Sequence, residues 1–146
     1  MEKKEELEKK DPLWIQFNLL DNKLRKKTEP LNKVTYEIII LAGNFLEKYN
    51  KKEDLEEIII AFESMTNTLI YYYGDDAKNL YENDKEGEIL SSFDSLIFNH
   101  DYKTELTKLK KNIKGYTGFY KKNENPWFLF LIVTSFFWFC VLDNNS

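Results

Sequence analysis

The sequence has little of the chemistry on which most catalytic and metal sites depend. Its 146 residues include one cysteine, Cys140, and one histidine, His100. A single cysteine excludes an internal disulfide framework and a zinc site built from cysteines. Arg25 is the only arginine, so paired arginine clamps on phosphate or carboxylate groups are not available. The composition therefore favours a non-enzymatic protein without a metal or cofactor.

Turn-forming residues are also scarce, with five glycines and three prolines in the whole chain. This scarcity favours long helices over a β fold rich in turns. The net charge of −4 argues against a nucleic-acid-binding protein, which would carry a basic surplus. The hydrophobic content of 42% is too high for a chain that is disordered throughout. The length fits one domain, and we expect that domain to be all-α.

Apolar residues recur at spacings of three and four, the period of an amphipathic helix, in four segments. Residues 1–10 precede them as a charged tail without the apolar segment of a secretory signal. The first helix should begin at Asp11 and Pro12, an N-cap followed by proline. The others should span about 31–49, 53–73 and 102–120. The helix at 31–49 should be the most buried, and the helix at 53–73 should end at Gly74. The predicted core of this bundle of four to five helices is Phe17, Leu20, Ile38, Leu41, Phe45, Ile58, Phe62, Met65, Leu69, Leu106, Leu109 and Ile113.

The acidic segment 75–88 is predicted mainly as a loop, with one helical turn near 77–81 and a short helix over 89–98. Its carboxylates lack the spacing of an EF-hand, which favours a solvated loop over a calcium site. His100, beside Asp101, is interpreted as a solvated loop residue, with a general base as the alternative. Of the three consecutive tyrosines before Gly74, we expect Tyr72 to face the core.

The strongest signal is the uncharged run at residues 127–142, WFLFLIVTSFFWFCVL. As a helix it spans about 24 Å, against about 30 Å of bilayer hydrocarbon and about 27 Å in the endoplasmic reticulum. It has no polar side, which predicts a transmembrane anchor; a buried core helix is the alternative. The anchor residues are Trp127, Phe128, Leu129, Phe130, Leu131, Ile132, Val133, Phe136, Phe137, Trp138, Phe139, Val141 and Leu142.

Lys121 and Lys122 precede the run, and the positive-inside rule keeps such lysines in the cytosol. We therefore expect a tail-anchored protein of a thin intracellular membrane. Its parts are a helical domain at 11–120, a basic linker at 121–126, the anchor at 127–142 and a short tail at 143–146. The lysines at 108, 110, 111 and 114, together with this pair, either attract anionic lipid or form a solvated helix face.

Residues 102–120, with Lys121, Lys122 and the anchor, resemble the membrane-fusion proteins of the SNARE class. Proteins of that class have a longer coil with a central polar layer, usually of glutamine. Here the seam continued upstream contains Asn99, Ser95 and Ser92, and the only glutamine of the chain is Gln16. In size, helix count and anchor the chain also resembles tail-anchored apoptosis regulators of the Bcl type, including viral ones. Their Asn-Trp-Gly-Arg motif is absent, so we assign neither family.

The function we expect is that of a non-catalytic interaction module, in membrane trafficking or organelle organisation. A helical protein partner would pack on the apolar seam of the last helix. The alternatives are a divergent Bcl-type apoptosis regulator and a helical subunit whose C-terminal helix is buried in a protein complex. The seam residues are Tyr102, Leu106, Leu109, Ile113, Tyr116 and Tyr120.

Overall fold

The computed structural model describes residues 11–98 and 101–124, and this part of the chain is all-helical, as predicted. The tail at 1–10, His100 and the anchor at 127–142 lie outside the described residues. The helices are α1 (Pro12–Lys26), α2 (Leu31–Lys48), α3 (Lys52–Tyr73), α4 (Asp75–Asn83), α5 (Lys85–Ser91), α6 (Phe93–Phe98) and α7 (Tyr102–Glu124).

The predicted start of α1 is confirmed. One carboxylate oxygen of Asp11 accepts a hydrogen bond from the Leu13 backbone N–H at 2.9 Å, and Pro12 is the first helical residue. The other oxygen accepts a hydrogen bond from Lys48 Nζ at 3.0 Å. Because Lys48 is the last residue of α2, the buried Asp11 also fixes the beginning of α1 against the end of α2.

The core is centred on α2, which packs against α1, α3, α5 and α7. Its Phe45 makes an edge-on ring contact with Phe62 of α3, at a centroid distance of 5.5 Å. The predicted core residues are buried, except that Phe17 is partly buried and packs against the cluster from its edge. The period of three and four therefore located the bundle interior correctly.

The acidic segment is not the loop that we predicted, because it folds into α4 and α5. Ala77 and Leu80 are buried, as are Ile89 and Leu90, so each short helix covers part of the core. The two helices approach closely at Gly87, where an added Cβ would overlap the backbone carbonyl of Tyr81. Tertiary packing thus overrides the polar composition, and the described fold has more helices than the four or five predicted.

Two further expectations need correction. Tyr73, and not Tyr72, packs against the core, and its hydroxyl donates a hydrogen bond to the backbone carbonyl of Glu29. The neighbouring Tyr71 is 80% exposed. In addition, α7 continues to Glu124, so residues 121–124 are helical where a linker was predicted.

Replacing Gly87 with alanine tests the close approach of α4 and α5. We expect Gly87→Ala to lower the free energy of unfolding by about 2 kcal/mol or more, because its Cβ meets backbone and not a flexible side chain. The matched control is Gly115→Ala in α7, where an added Cβ meets no atom within 4 Å. That change should raise stability by up to about 1 kcal/mol. Urea unfolding of both variants checks the pair, and equal effects would contradict the close approach.

Candidate interaction surface

The predicted seam of α7 is used within the protein itself. Leu106, Leu109, Ile113 and Tyr116 are buried in the core, and Tyr102 packs partly against it. A Cβ at Gly43 of α2 would lie 2.9 Å from Ile113 Cγ2, so the two helices are in close contact there. The side chain of Tyr120 lies outside the described side chains, as do those of Lys121 and Lys122.

The structure brings a different set of residues together on the outer side of α2. Ile40 and Asn44 form a ridge with a groove on each side. The α1–α2 groove has a volume of about 320 Å³ and the α2–α7 groove about 200 Å³. We call this surface the α2 face. Its lining residues are Gln16, Leu19, Leu20, Lys23, Glu37, Ile40, Leu41, Gly43, Asn44, Glu47, Lys110, Ile113, Lys114 and Thr117.

The α1–α2 groove has an apolar floor and one exposed apolar wall. Leu20 and Leu41 form the floor and are buried. Leu19, on the wall, is 59% exposed. Ile40 is partly buried across from it. An apolar side chain of a partner could therefore lie between Leu19 and Ile40.

The outer edges of the α2 face carry both charges. Lys110 Nζ lies 3.3 Å from Glu47 Oε1, and Lys114 Nζ lies 4.0 Å from the same oxygen. On the opposite edge, Lys23 Nζ lies 3.6 Å from Glu37 Oε2. These partly exposed pairs contribute little to stability, but they give the surface polar edges around an apolar centre.

Glu37 and Glu29 form a close carboxyl pair at the end of the α1–α2 groove. Lys23 Nζ also contacts Glu29 Oε1, at 3.3 Å, and Lys33 Nζ lies 3.7 Å from that oxygen. The second oxygen, Glu29 Oε2, is buried and has no hydrogen-bond partner. A proton on Glu37 would supply a donor within the pair, because two ionised carboxylates cannot hydrogen-bond each other.

The pKa values of this pair move in opposite directions. Burial, together with the hydrogen bond and the charge of Glu29, raises the pKa of Glu37 above its usual 4.5. Burial also opposes ionisation of Glu29, but hydrogen bonds from Glu37 and Lys23 and the charges of Lys23 and Lys33 outweigh it, so its pKa is lowered. Of the two groups, Glu37 is therefore the one that takes a proton more readily.

The pattern of the sequence does not reveal this pair. Glu29 lies in the connection between α1 and α2, and the helical period relates residues only within one helix. A second carboxyl pair was missed for the same reason: a hydrogen bond to Asp94 of α6 raises the pKa of Glu63 of α3. Among the described residues no group of three histidine, cysteine or acidic side chains is arranged to hold a metal ion.

No described helix is both long enough and apolar enough to cross a membrane. Comparisons of the chain with protein-family models, with curated proteins and with solved structures found no match. The interpretation of the α2 face therefore depends on its own shape and charge.

Replacing Glu37 with glutamine tests the shared proton. The folded protein keeps the Glu37 proton to a higher pH than the unfolded chain does, so ionisation of Glu37 destabilises the fold as the pH rises above 4.5. A glutamine amide is a hydrogen-bond donor at every pH, so we expect it to donate to the Glu29 carboxylate. We expect Glu37→Gln to be more stable than the wild type at pH 7, by up to about 1 kcal/mol, and the difference to vanish near pH 4.

Urea unfolding between pH 4 and pH 7 measures this difference. The matched control is Glu56→Gln, which changes an exposed glutamate of α3. A pH-dependent difference of the same size in the control, or none in Glu37→Gln, would show that the carboxyl pair does not share a proton.

Proposed function

We propose that the protein is a non-catalytic interaction module that residues 127–142 attach to a membrane and whose α2 face binds a helix of a protein partner. The observation that carries the proposal is the run of sixteen uncharged residues that begins three positions after Glu124, the last residue of α7. Its length of about 24 Å suits a thin membrane such as the endoplasmic reticulum. A role in membrane trafficking or organelle organisation fits such an attached module.

The packing of the described helices supports an anchor over a buried helix. All seven helices contribute residues to one core. The exposed large apolar side chains of the described part are Ile15, Leu19, Ile60 and Tyr71, which belong to two different helices. These are too few to cover a helix with seven aromatic residues, whereas lipid covers an apolar helix on all sides.

The shape of the α2 face supports a helical partner. An amphipathic helix presents apolar residues at spacings of three and four, and we propose that such a row lies along the groove between Leu19 and Ile40. Charged residues beside that row would meet Lys23 and Glu37 on one edge. Attachment to a membrane raises the effective concentration of the α2 face for partners on the same membrane.

Two arginines placed inside the run test the attachment. We expect the wild-type chain to float with membranes after alkaline extraction. Ile132→Arg combined with Phe136→Arg should not float, because each arginine near the middle of a span costs about 2.5 to 3.5 kcal/mol. The matched control, Asn144→Arg combined with Asn145→Arg, adds the same charge outside the run and should float. Alkaline extraction of the wild type into the soluble fraction would favour the alternative, a helix buried in a protein complex.

Site-specific photocrosslinking tests the partner surface. A photoreactive amino acid in place of Leu19 should give a crosslinked product of defined mass in membranes that contain the partner. Ile40→Glu in the same chain should remove this product, because it places a charge across the groove. Ile60 of α3 is similarly exposed, at 64%, and a probe there is the control. Equal products from both positions would contradict a specific α2 face.

A further inference from the structure

Charge is strongly separated within the described fold. Helix α7 contains seven lysines and two acidic residues, in a chain whose net charge is −4. The acidic side chains are concentrated instead in α3, α4 and α5. Since a helix turns by about 100° per residue, six of the seven lysines fall within about 120° of the α7 circumference. We call this set the basic stripe: Lys103, Lys110, Lys111, Lys114, Lys121 and Lys122.

Three described lysines of the stripe lie on the side of α7 that the core leaves uncovered, whereas Lys110 lies at the edge of the α2–α7 groove beside Glu47. Lys103 and Lys111 are exposed, and the side chain of Lys114 is 76% exposed. Between them lies the exposed, small side chain of Thr107. Gly118 is in the same arc, and an added Cβ there would meet no atom within 4 Å. Lys103, Lys111 and Lys114 are therefore accessible, with the small side chain of Thr107 between them.

We propose that the basic stripe binds the headgroups of anionic phospholipids and holds α7 flat along the membrane surface. This proposal rests on the membrane attachment proposed above, and it adds the lipid class and the orientation of the bundle. The proposed ligand is the layer of negatively charged phospholipid headgroups at the membrane surface. A nucleic acid has similar charge, but the acidic remainder of the chain and the adjacent apolar run both favour lipid.

The length of α7 decides between a flat and an upright orientation. The helix has 23 residues and is about 35 Å long. An upright helix would hold Lys103 about 27 Å further from the membrane than Lys121, well beyond the screening length of about 8 Å. A flat helix brings the whole stripe within that length. Each lysine that reaches the anionic surface therefore adds to the free energy that favours the flat orientation.

The sequence also allows a change of direction between α7 and the run. Pro126 disfavours the helical conformation for Asn125, the residue before it. The helix at 102–124 and a helix through 127–142 therefore need not share one axis. The run can cross the membrane while α7 lies along its surface.

Fluorescence quenching in vesicles tests the proposal with the full chain. A fluorophore is attached at Thr107→Cys, with Cys140→Ala as background, and the vesicles carry a headgroup-linked quencher. Vesicles of phosphatidylcholine are compared with vesicles that also contain phosphatidylserine. We expect strong quenching only when phosphatidylserine is present, and less of it at high salt. The same label at Ile60→Cys should show no such difference.

A triple variant isolates the contribution of the lysines. Changing Lys103, Lys111 and Lys114 to glutamine should lower the ratio of flat to upright molecules about a hundredfold, since each lysine near an anionic surface contributes about fivefold. Quenching at position 107 should then be lost while the variant still floats with the vesicles. The matched control replaces Lys51, Lys52 and Lys78, which are exposed on other elements, and should keep the quenching.

Flotation separates failure of this proposal from failure of the membrane attachment. If the protein floats but quenching is equal in neutral and anionic vesicles, or persists in the triple variant, the stripe does not bind anionic lipid. If the protein does not float at all, the attachment itself is wrong, and the orientation proposed for α7 is overturned with it.

Discussion

The ring contact between Phe45 of α2 and Phe62 of α3 lies where four helices of the bundle meet. Phe17 of α1 packs edge-on against both rings, and Phe93 of α6 stacks on Phe62 at 5.6 Å. Each such aromatic pair contributes about 0.5 to 1.5 kcal/mol beyond the area that it buries. Because this cluster packs on the inner side of α2, only a narrow outer strip of that helix can contact a partner. The α2 face is that strip with its neighbours on α1 and α7.

The sequence predicts the long helices because each has a regular apolar row, and α1 and α3 each also have one clearly marked end. Asp11 and Pro12 mark the start of α1, and Gly74 ends α3 with a positive φ of 70°. The pair of short helices could not be predicted in this way. Their apolar residues are few, and the close approach of Gly87 to Tyr81 exists only in three dimensions.

Less of the candidate site than of the core is predictable from the sequence. The apolar row of α7 was predicted both as core and as a partner surface, and the structure places it in the core. The α2 face is instead defined by side chains from three helices, and a one-dimensional pattern does not show which helices are neighbours. The carboxyl pair of Glu29 and Glu37 depends on the same arrangement, because it joins a connection to a helix. Tyr72 was misplaced for a simpler reason: one residue changes the direction of a helical side chain by about 100°.

The separation of charge has a consequence for many copies on one membrane. With a basic helix on one side and acidic helices elsewhere, each bundle has an electric dipole moment. Copies held by the proposed attachment with their dipoles perpendicular to the membrane would have parallel dipoles side by side, and such dipoles repel one another. The charge pattern would therefore space the molecules apart and oppose lateral clustering, most strongly where little salt is present.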